Sequence, residues 1–171
     1  MLKISILFLL AMFAVPVFAQ TEQRIDFTAT DMSGKKVSMS ELRGKVVVIN
    51  LWFINCPNCL SEIKALNQLV KDYQSNKDVV FIAPAASPQC DLEAFLKKNP
   101  FDYQVLPDSI MMILMKFGTP DKNGWINVPF PMHYVLDREG KVVVKVEGTK
   151  GIEAVKSELK KQFAAKPATV K

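Results

Sequence analysis

Apolar positions along the chain come in two rhythms, short continuous runs and stretches that recur every three or four residues. "KVVVINLWF" reads as a continuous apolar strand, the pattern of a strand covered on both faces. Beyond Pro57 the period changes: Leu60, Ile63, Leu66, Leu69, Val70 and Tyr73 fall on one helical stripe, with Ser61, Lys64, Gln68 and Lys71 elsewhere. "VVFIAPAAS" predicts a second apolar strand. "SPQCDLEAFLKKN" predicts a helix with Ser87 as N-cap and Pro88 at its first position. "DYQVLPD" predicts a short strand, "SIMMILMKFG" a helix stopped by Gly118, and "TPDKNGWINVPFP" a loop rich in breakers. "MHYVLDREGKVVVKVEG" reads as strand, turn and strand, and "GIEAVKSELKKQF" as an amphipathic helix carrying Ile152, Val155, Leu159 and Phe163. Ahead of all these, "IDFTATDMSGKKVSMSEL" predicts two short strands around the turn at residues 31–34, then one helical turn at Ser40 and Glu41 before Gly44. Strands alternating with helices and closing on a hairpin imply an α/β layer with a mixed sheet. In such folds chemistry gathers at the carboxyl ends of parallel strands, and Cys56 and Cys59 lie just beyond "VVVINLWF".

The first segment departs from both rhythms. One cation, Lys3, precedes an apolar run at residues 4–14, then Pro16 and the small-residue ending Val17-Phe18-Ala19. That order predicts an export leader, residues 1–19, cut after Ala19; a retained anchor is the competing reading, against which the run is short for a span. The expected organisation is leader 1–19, one domain at 20–165 and a loose tail at 166–171, consistent with 171 residues as one core's worth of chain. The net charge of +5 becomes +4 when Lys3 leaves with the leader, and no basic and aromatic face is clustered, so solubility explains the charge better than nucleic-acid binding. Export to a periplasmic or secreted location also sets the reading of the three cysteines: an oxidising compartment lets disulfides persist, and at most one pair can close within the chain.

In "NCPNC", Pro57 at the first helical position leaves Cys56 as the N-cap, facing the free amides of Asn58 and Cys59. Those N–H groups and the positive end of the helix dipole favour a thiolate at Cys56. Cys59 sits one turn inward, so Cys56 is expected to attack and Cys59 to resolve. A structural staple over so small a loop constrains the unfolded chain little. Zinc would call for a second ligand pair, whereas the chain has one histidine, His133. A Cu(I) site of Cys56, Cys59 and His133 stays open beside the redox dithiol, which needs only the two cysteines and the helix start.

With these residues in order, the sequence resembles the thioredoxin superfamily, and within it the exported TlpA/ResA-like branch of thiol–disulfide oxidoreductases, with AhpC/TSA and redoxin-like relatives. The resemblance runs from Asp26 to Phe163. "FTATDMSGKKVSMSELRGKVVVINLWF" is similar to the branch's opening hairpin, helical turn and central strand. Trp52 matches the family tryptophan below the active site, Glu62 the acidic residue of the active-site helix, and "PMHYVLDREGKVV" the segment after the family's cis-proline, which places that proline at Pro131 rather than Pro129. The resemblance implies a thioredoxin-like fold: a central mixed sheet flanked by helices, with an N-terminal hairpin extension and an inserted helix and strand. It implies Cys56 and Cys59 as a redox-active disulfide and Glu62 as proton acceptor for Cys59, the alternative for Glu62 being a solvated helix carboxylate. Trp52, Phe130 and Pro131 are implied as substrate-contacting residues, with the Phe130 backbone free to pair with an extended substrate. Asn50 stands where thioredoxin proper has a buried aspartate, and Asn55 and Asn58 depart from the residues usual around the cysteines.

The activity so implied is dithiol–disulfide exchange, without cofactor or metal, more as a reductant of exported cysteine proteins than as an oxidant. Apocytochromes during haem attachment are among the substrates implied, with electrons from a membrane thiol carrier and a monomeric state. A peroxiredoxin-like peroxidase is the other enzyme reading; that family places threonine three residues before its cysteine, where Phe53 stands. Cys90 is expected to be a half-buried single thiol and His133 a packed strand residue. Met111, Met112 and Met115 are expected to form core or a helix face on the sheet, and Trp125 to border the active site.

Overall fold

The computed structural model describes residues 24–164, so the leader 1–19 and the tail 166–171 lie outside the described residues. Its centre is a five-stranded sheet of β3 (Val46–Leu51), β4 (Val79–Pro84), β5 (Gln104–Leu106), β8 (Met132–Leu136) and β9 (Val142–Glu147), in the order β5-β4-β3-β8-β9. The pairs β3–β4 and β4–β5 are parallel; β3–β8 and β8–β9 are antiparallel. The sheet is therefore mixed, with β3 at its middle and all six of its residues buried. This is the thioredoxin-like arrangement expected from the sequence.

Successive side chains of a strand point to opposite faces. Val46 and Val48 join Leu66 and Leu69 of α1 (Pro57–Asp72) and Val155 and Leu159 of α4 (Gly151–Ala164) in one apolar cluster. Val47, Ile49 and Leu51 join Ile113 and Phe117 of α3 (Ile110–Phe117) and the N-terminal segment in the other. Asn50 and His133, register partners across β3 and β8, share a face with Val48 and Val135 and so look toward α1 and α4.

The remaining elements trim this frame. β1 (Thr28–Thr30) and β2 (Lys36–Ser38) form the expected hairpin, and a tight helical turn follows at Met39–Leu42. α2 (Gln89–Lys98) begins one residue later than the sequence suggested: Pro88 is the cap, with extended backbone, and Ser87 makes no cap bond to this helix. The Ser87 hydroxyl is taken instead by the N–H of Ile54 at 3.0 Å. The breaker-rich segment after α3 is not all loop, because β6 (Thr119–Pro120) and β7 (Ile126–Asn127) pair antiparallel within it. The α3 methionines do not all pack: Ile113 and Phe117 are buried and Met112 and Leu114 lie half-buried against the same cluster, leaving Met111 and Met115 exposed at 64% and 75%. Among the described residues, no helix is long and apolar enough to cross a membrane.

Asp31 ties the N-terminal hairpin to the sheet edge. Its carboxylate accepts the Ser33 hydroxyl, the N–H groups of Ser33 and Lys35, and Gln104 Nε2 of β5 at 2.7 Å. The side-chain bond from Ser33, followed by that from Gln104, lowers its pKa from 3.8 to about 2. A carboxyl with a depressed folded-state value stabilises the fold above its ordinary value and loses that contribution as pH falls toward the depressed one. Urea unfolding of Asp31→Asn should therefore show a loss of about 1–2 kcal/mol at pH 7. The gap to wild type should narrow as pH is lowered from 3.8 toward 2. A gap that is the same at both ends would contradict this role.

Candidate active site

Strand β3 runs into Trp52 and then a four-residue turn that delivers Cys56 to the start of α1. The turn is held from two sides. Phe53 C=O accepts the N–H of Cys56 at 3.3 Å, and the Ser87 hydroxyl accepts that of Ile54. Pro57, lacking an N–H, begins the helix where no amide partner is needed. Cys56 is then the N-cap, with φ −99° and ψ 102°, and its Sγ accepts the N–H of Cys59 at 3.1 Å. Cys56 and Cys59 are joined as a disulfide, with Cα atoms 5.2 Å apart. Both sulfur-bearing residues are buried, at 5% and 2% exposure, whereas Asn55, Pro57 and Asn58 around them are exposed.

Across from the disulfide lies the start of β8. The Phe130–Pro131 peptide is cis, at the proline chosen from sequence. The Phe130 ring packs edge-on against Phe53 at 5.2 Å, and Pro131 C=O accepts the Gly148 N–H. Neither the N–H nor the C=O of Phe130 is engaged among the described residues. Phe53, Ile54, Asn55, Asp91, Ile110 and Phe130 are among the walls of a groove of about 380 Å³ that reaches the residue before Cys56. Trp52, expected to touch substrate, is 1% exposed, packed against Phe95 and Phe101 at 6.0 and 5.2 Å; it forms the floor beneath the cysteines.

Glu62, one turn beyond Cys59, is not a solvated carboxylate: it is 3% exposed. On α1 the inward line is Cys59, Glu62, Leu66 and Leu69, spaced for one helix face, while Leu60, Ile63, Val70 and Tyr73 flank it half-buried. The predicted stripe was displaced because a count of apolar residues passes over Glu62. Opposite Glu62 stands His133, fully buried, with Nε2 3.3 Å from Glu62 Oε2 and Nδ1 3.3 Å from Asn50 Nδ2. The His133–Glu62 approach is close but not aligned as a hydrogen bond, so Nε2 and both carboxylate oxygens have no hydrogen-bond partner among the described residues. Orphaned buried polar atoms cost about 1–3 kcal/mol each and concentrate at functional sites. The Tyr103 phenol completes this polar pocket; burial first, and the negative charge of Glu62 second, drive its pKa well above the usual tyrosine range.

Sequence reasoning named Cys56, Cys59, Glu62, Phe130 and Pro131, and the fold brings them to one end of β3 and β8. It missed His133 as the neighbour of Glu62, and Asn50 as the partner of His133. The available signal was a single amide and a single imidazole inside two apolar strands. The other expected participants stand apart. His133 turns its nitrogens to Asn50 and Glu62, and no three-ligand group that could hold a metal occurs among the described residues, so the Cu(I) triad is not assembled. Cys90 is exposed rather than half-buried, its Sγ 3.6 Å from Asp91 Oδ1. Trp125, 75% exposed in the β6–β7 hairpin, is not among the groove walls.

Known proteins place this geometry. The AhpC/TSA family pattern matches residues 21–145. The chain is 26% identical over 136 residues to the thiol-disulfide oxidoreductase ResA of Bacillus thuringiensis subsp. konkukian, covering 80% of this chain and 74% of that one. Its fold is similar to the thioredoxin domain of a thiol-disulfide oxidoreductase from Bacteroides vulgatus, with TM-score 0.65, 19% identity, and 81% and 96% of the two chains covered. It is also similar to a thioredoxin-family thiol:disulfide interchange protein from Chlorobium tepidum, with TM-score 0.61, 22% identity, and 73% and 84% covered. With a disulfide at the capped start of its active-site helix on this fold, the chain belongs to the AhpC/TSA family, as a ResA-like thiol–disulfide oxidoreductase of the thioredoxin superfamily.

Proposed function

We propose that this thiol–disulfide oxidoreductase works outside the cytoplasm as a reductant of exported cysteine proteins. The leader 1–19 would deliver the domain 20–165 to that compartment, where it would act as a monomer. The observation that carries the reading is the asymmetry of one disulfide: Cys56 caps α1 directly after Asn55, a wall of the groove, and Cys59 lies inward, one turn from a buried carboxylate. The mixed-disulfide chemistry follows from that placement.

In the reduced protein the Cys59 amide that now bonds Cys56 Sγ would stabilise a Cys56 thiolate. That thiolate attacks one sulfur of a substrate disulfide, joining Cys56 to the substrate and releasing the other substrate sulfur as thiolate. Glu62 takes the proton of Cys59, and the Cys59 thiolate attacks Cys56 Sγ. The Cys56–Cys59 bond forms, the substrate leaves with its second thiol, and the enzyme is oxidised as the substrate is reduced. The free backbone groups of Phe130 pair with an extended substrate segment, a form of strand addition. Regeneration calls for an external dithiol, for which a membrane thiol carrier is the proposed donor. The reducing direction and a role with apocytochromes rest on what the resemblance of the sequence to the TlpA/ResA-like branch implies. Phe53 at the position where the peroxidase motif has threonine argues for thiol exchange over peroxide chemistry.

Two measurements test this. Because Cys90 is exposed, trapping must be done with Cys90→Ser as background. There, Cys59→Ser should accumulate a mixed disulfide with oxidised glutathione through Cys56, and Cys56→Ser should not; equal trapping by both, or by neither, would refute the assigned roles. A redox titration of the otherwise unaltered protein should give a midpoint below about −200 mV, as for cellular reductants, whereas a midpoint near −120 mV would make it an oxidant.

A further inference from the structure

The buried pair beneath the disulfide has a specific construction. Asn50 and His133 face each other across the β3–β8 register, and alternation sends both toward α1, where Glu62 projects from the turn after Cys59. The imidazole is also fixed from below. A Cβ on Gly151, the first residue of α4, would overlap His133 Cδ2 and come within 3.0 Å of Nε2, so glycine leaves the space the ring occupies. Three elements thus hold one fully buried histidine against one buried glutamate 3.3 Å away.

The tautomer follows from the neighbours. Asn50 presents its amide nitrogen, a donor only, to Nδ1. Nδ1 then accepts, which places the ring proton on Nε2, 3.3 Å from Glu62 Oε2 but without the alignment of a hydrogen bond. The ring therefore packs its polar edge against the carboxylate and limits where Glu62 can sit behind Cys59.

We infer that His133 is a positioning residue for the resolving half-reaction, holding the Glu62 carboxylate in place as the proton acceptor of Cys59. The inference rests on the proposal that Glu62 is that acceptor. The Cys59 proton passes to the Glu62 carboxylate as the Cys56–Cys59 bond forms and the Cys56–substrate bond breaks, the electron pair leaving with the substrate thiolate. When an external dithiol next reduces the disulfide, Cys59 departs as thiolate and recovers the proton from Glu62, which closes the proton balance. The groups facing the pair are few. Cys59 adjoins it on α1, and Tyr103, just before β5, feels the charge of Glu62. From β9, Val146 stands opposite His133. α4 contributes Gly151, while its Glu153 and Lys156 pair with each other at 2.9 Å.

Stopped-flow reaction of the reduced protein with 5,5′-dithiobis(2-nitrobenzoate), in the Cys90→Ser background, separates the two steps. The first thionitrobenzoate is released as Cys56 attacks and the second as Cys59 resolves. In His133→Leu the imidazole contact is gone, and the acid limb of the second phase should move to higher pH by about one unit, with the first phase unchanged. His133→Gln, which can place an N–H near Oε2 but cannot titrate, should keep the limb near its original position. Gly151→Ala, which displaces the ring without altering any charge, should move it in the same direction as His133→Leu; this variant decides the test if His133→Leu does not fold. Glu62→Gln is the control for the underlying reading and should slow the second phase by about 100-fold. If Glu62→Gln leaves that phase untouched, the acceptor reading fails and this inference with it. If Glu62→Gln slows it but the folded His133 and Gly151 variants keep the wild-type profile, or His133→Gln shifts as far as His133→Leu, this inference alone is overturned.

Discussion

The reactive end of this molecule depends on one contact, the N–H of Cys59 directed at the sulfur of Cys56 across the first turn of α1. It exists because Pro57 can begin a helix without an amide, which makes the residue before it the cap. Serine or aspartate in that position would end the matter as a structural cap. A cysteine there turns the helix start into a site that favours negative sulfur, through the amide and the dipole together. The rest of the fold serves to place that turn: β3 aims it, Ser87 holds Ile54 from the neighbouring segment, and β8 sets Phe130 and Pro131 opposite.

The two cysteines differ less in exposure than in what lies behind them. Cys56 follows Asn55, one wall of a groove that Phe53, Ile54, Asp91, Ile110 and Phe130 also line. Cys59 adjoins Glu62, and behind Glu62 stand His133, Asn50 and Tyr103 in an otherwise apolar interior. Burying so many polar atoms with so few hydrogen bonds is unfavourable for the fold alone. Their placement directly behind one thiol is what a proton-transfer role would require.

Much of the architecture was legible because periodicity changes sharply at Pro57, and because the strands of the buried sheet are nearly pure runs of apolar residues. The departures share a physical cause: local pattern does not report which surface an element meets. α3 is apolar but for Lys116, yet it is short and lies on one face of the sheet, so Met111 and Met115 stay exposed. Ser87 has the chemistry of a cap but is taken by Ile54 from another segment. The cysteine pair, the cis-proline and Glu62 could be read from spacing and resemblance. The partners of Glu62 could not, because the strand register that sets Asn50 opposite His133 joins residues far apart in the chain.

The central claim is that the helix start makes Cys56, and not Cys59, the reactive sulfur. Alkylation of the fully reduced protein with iodoacetamide, followed by mass spectrometry of the modified peptides across pH, measures this directly. The account predicts that Cys56 is modified first, with a midpoint below the value of about 8.5 typical of a free thiol, and that Cys59 lags at every pH. Modification of Cys59 ahead of Cys56, or a Cys56 midpoint at or above that value, would contradict it.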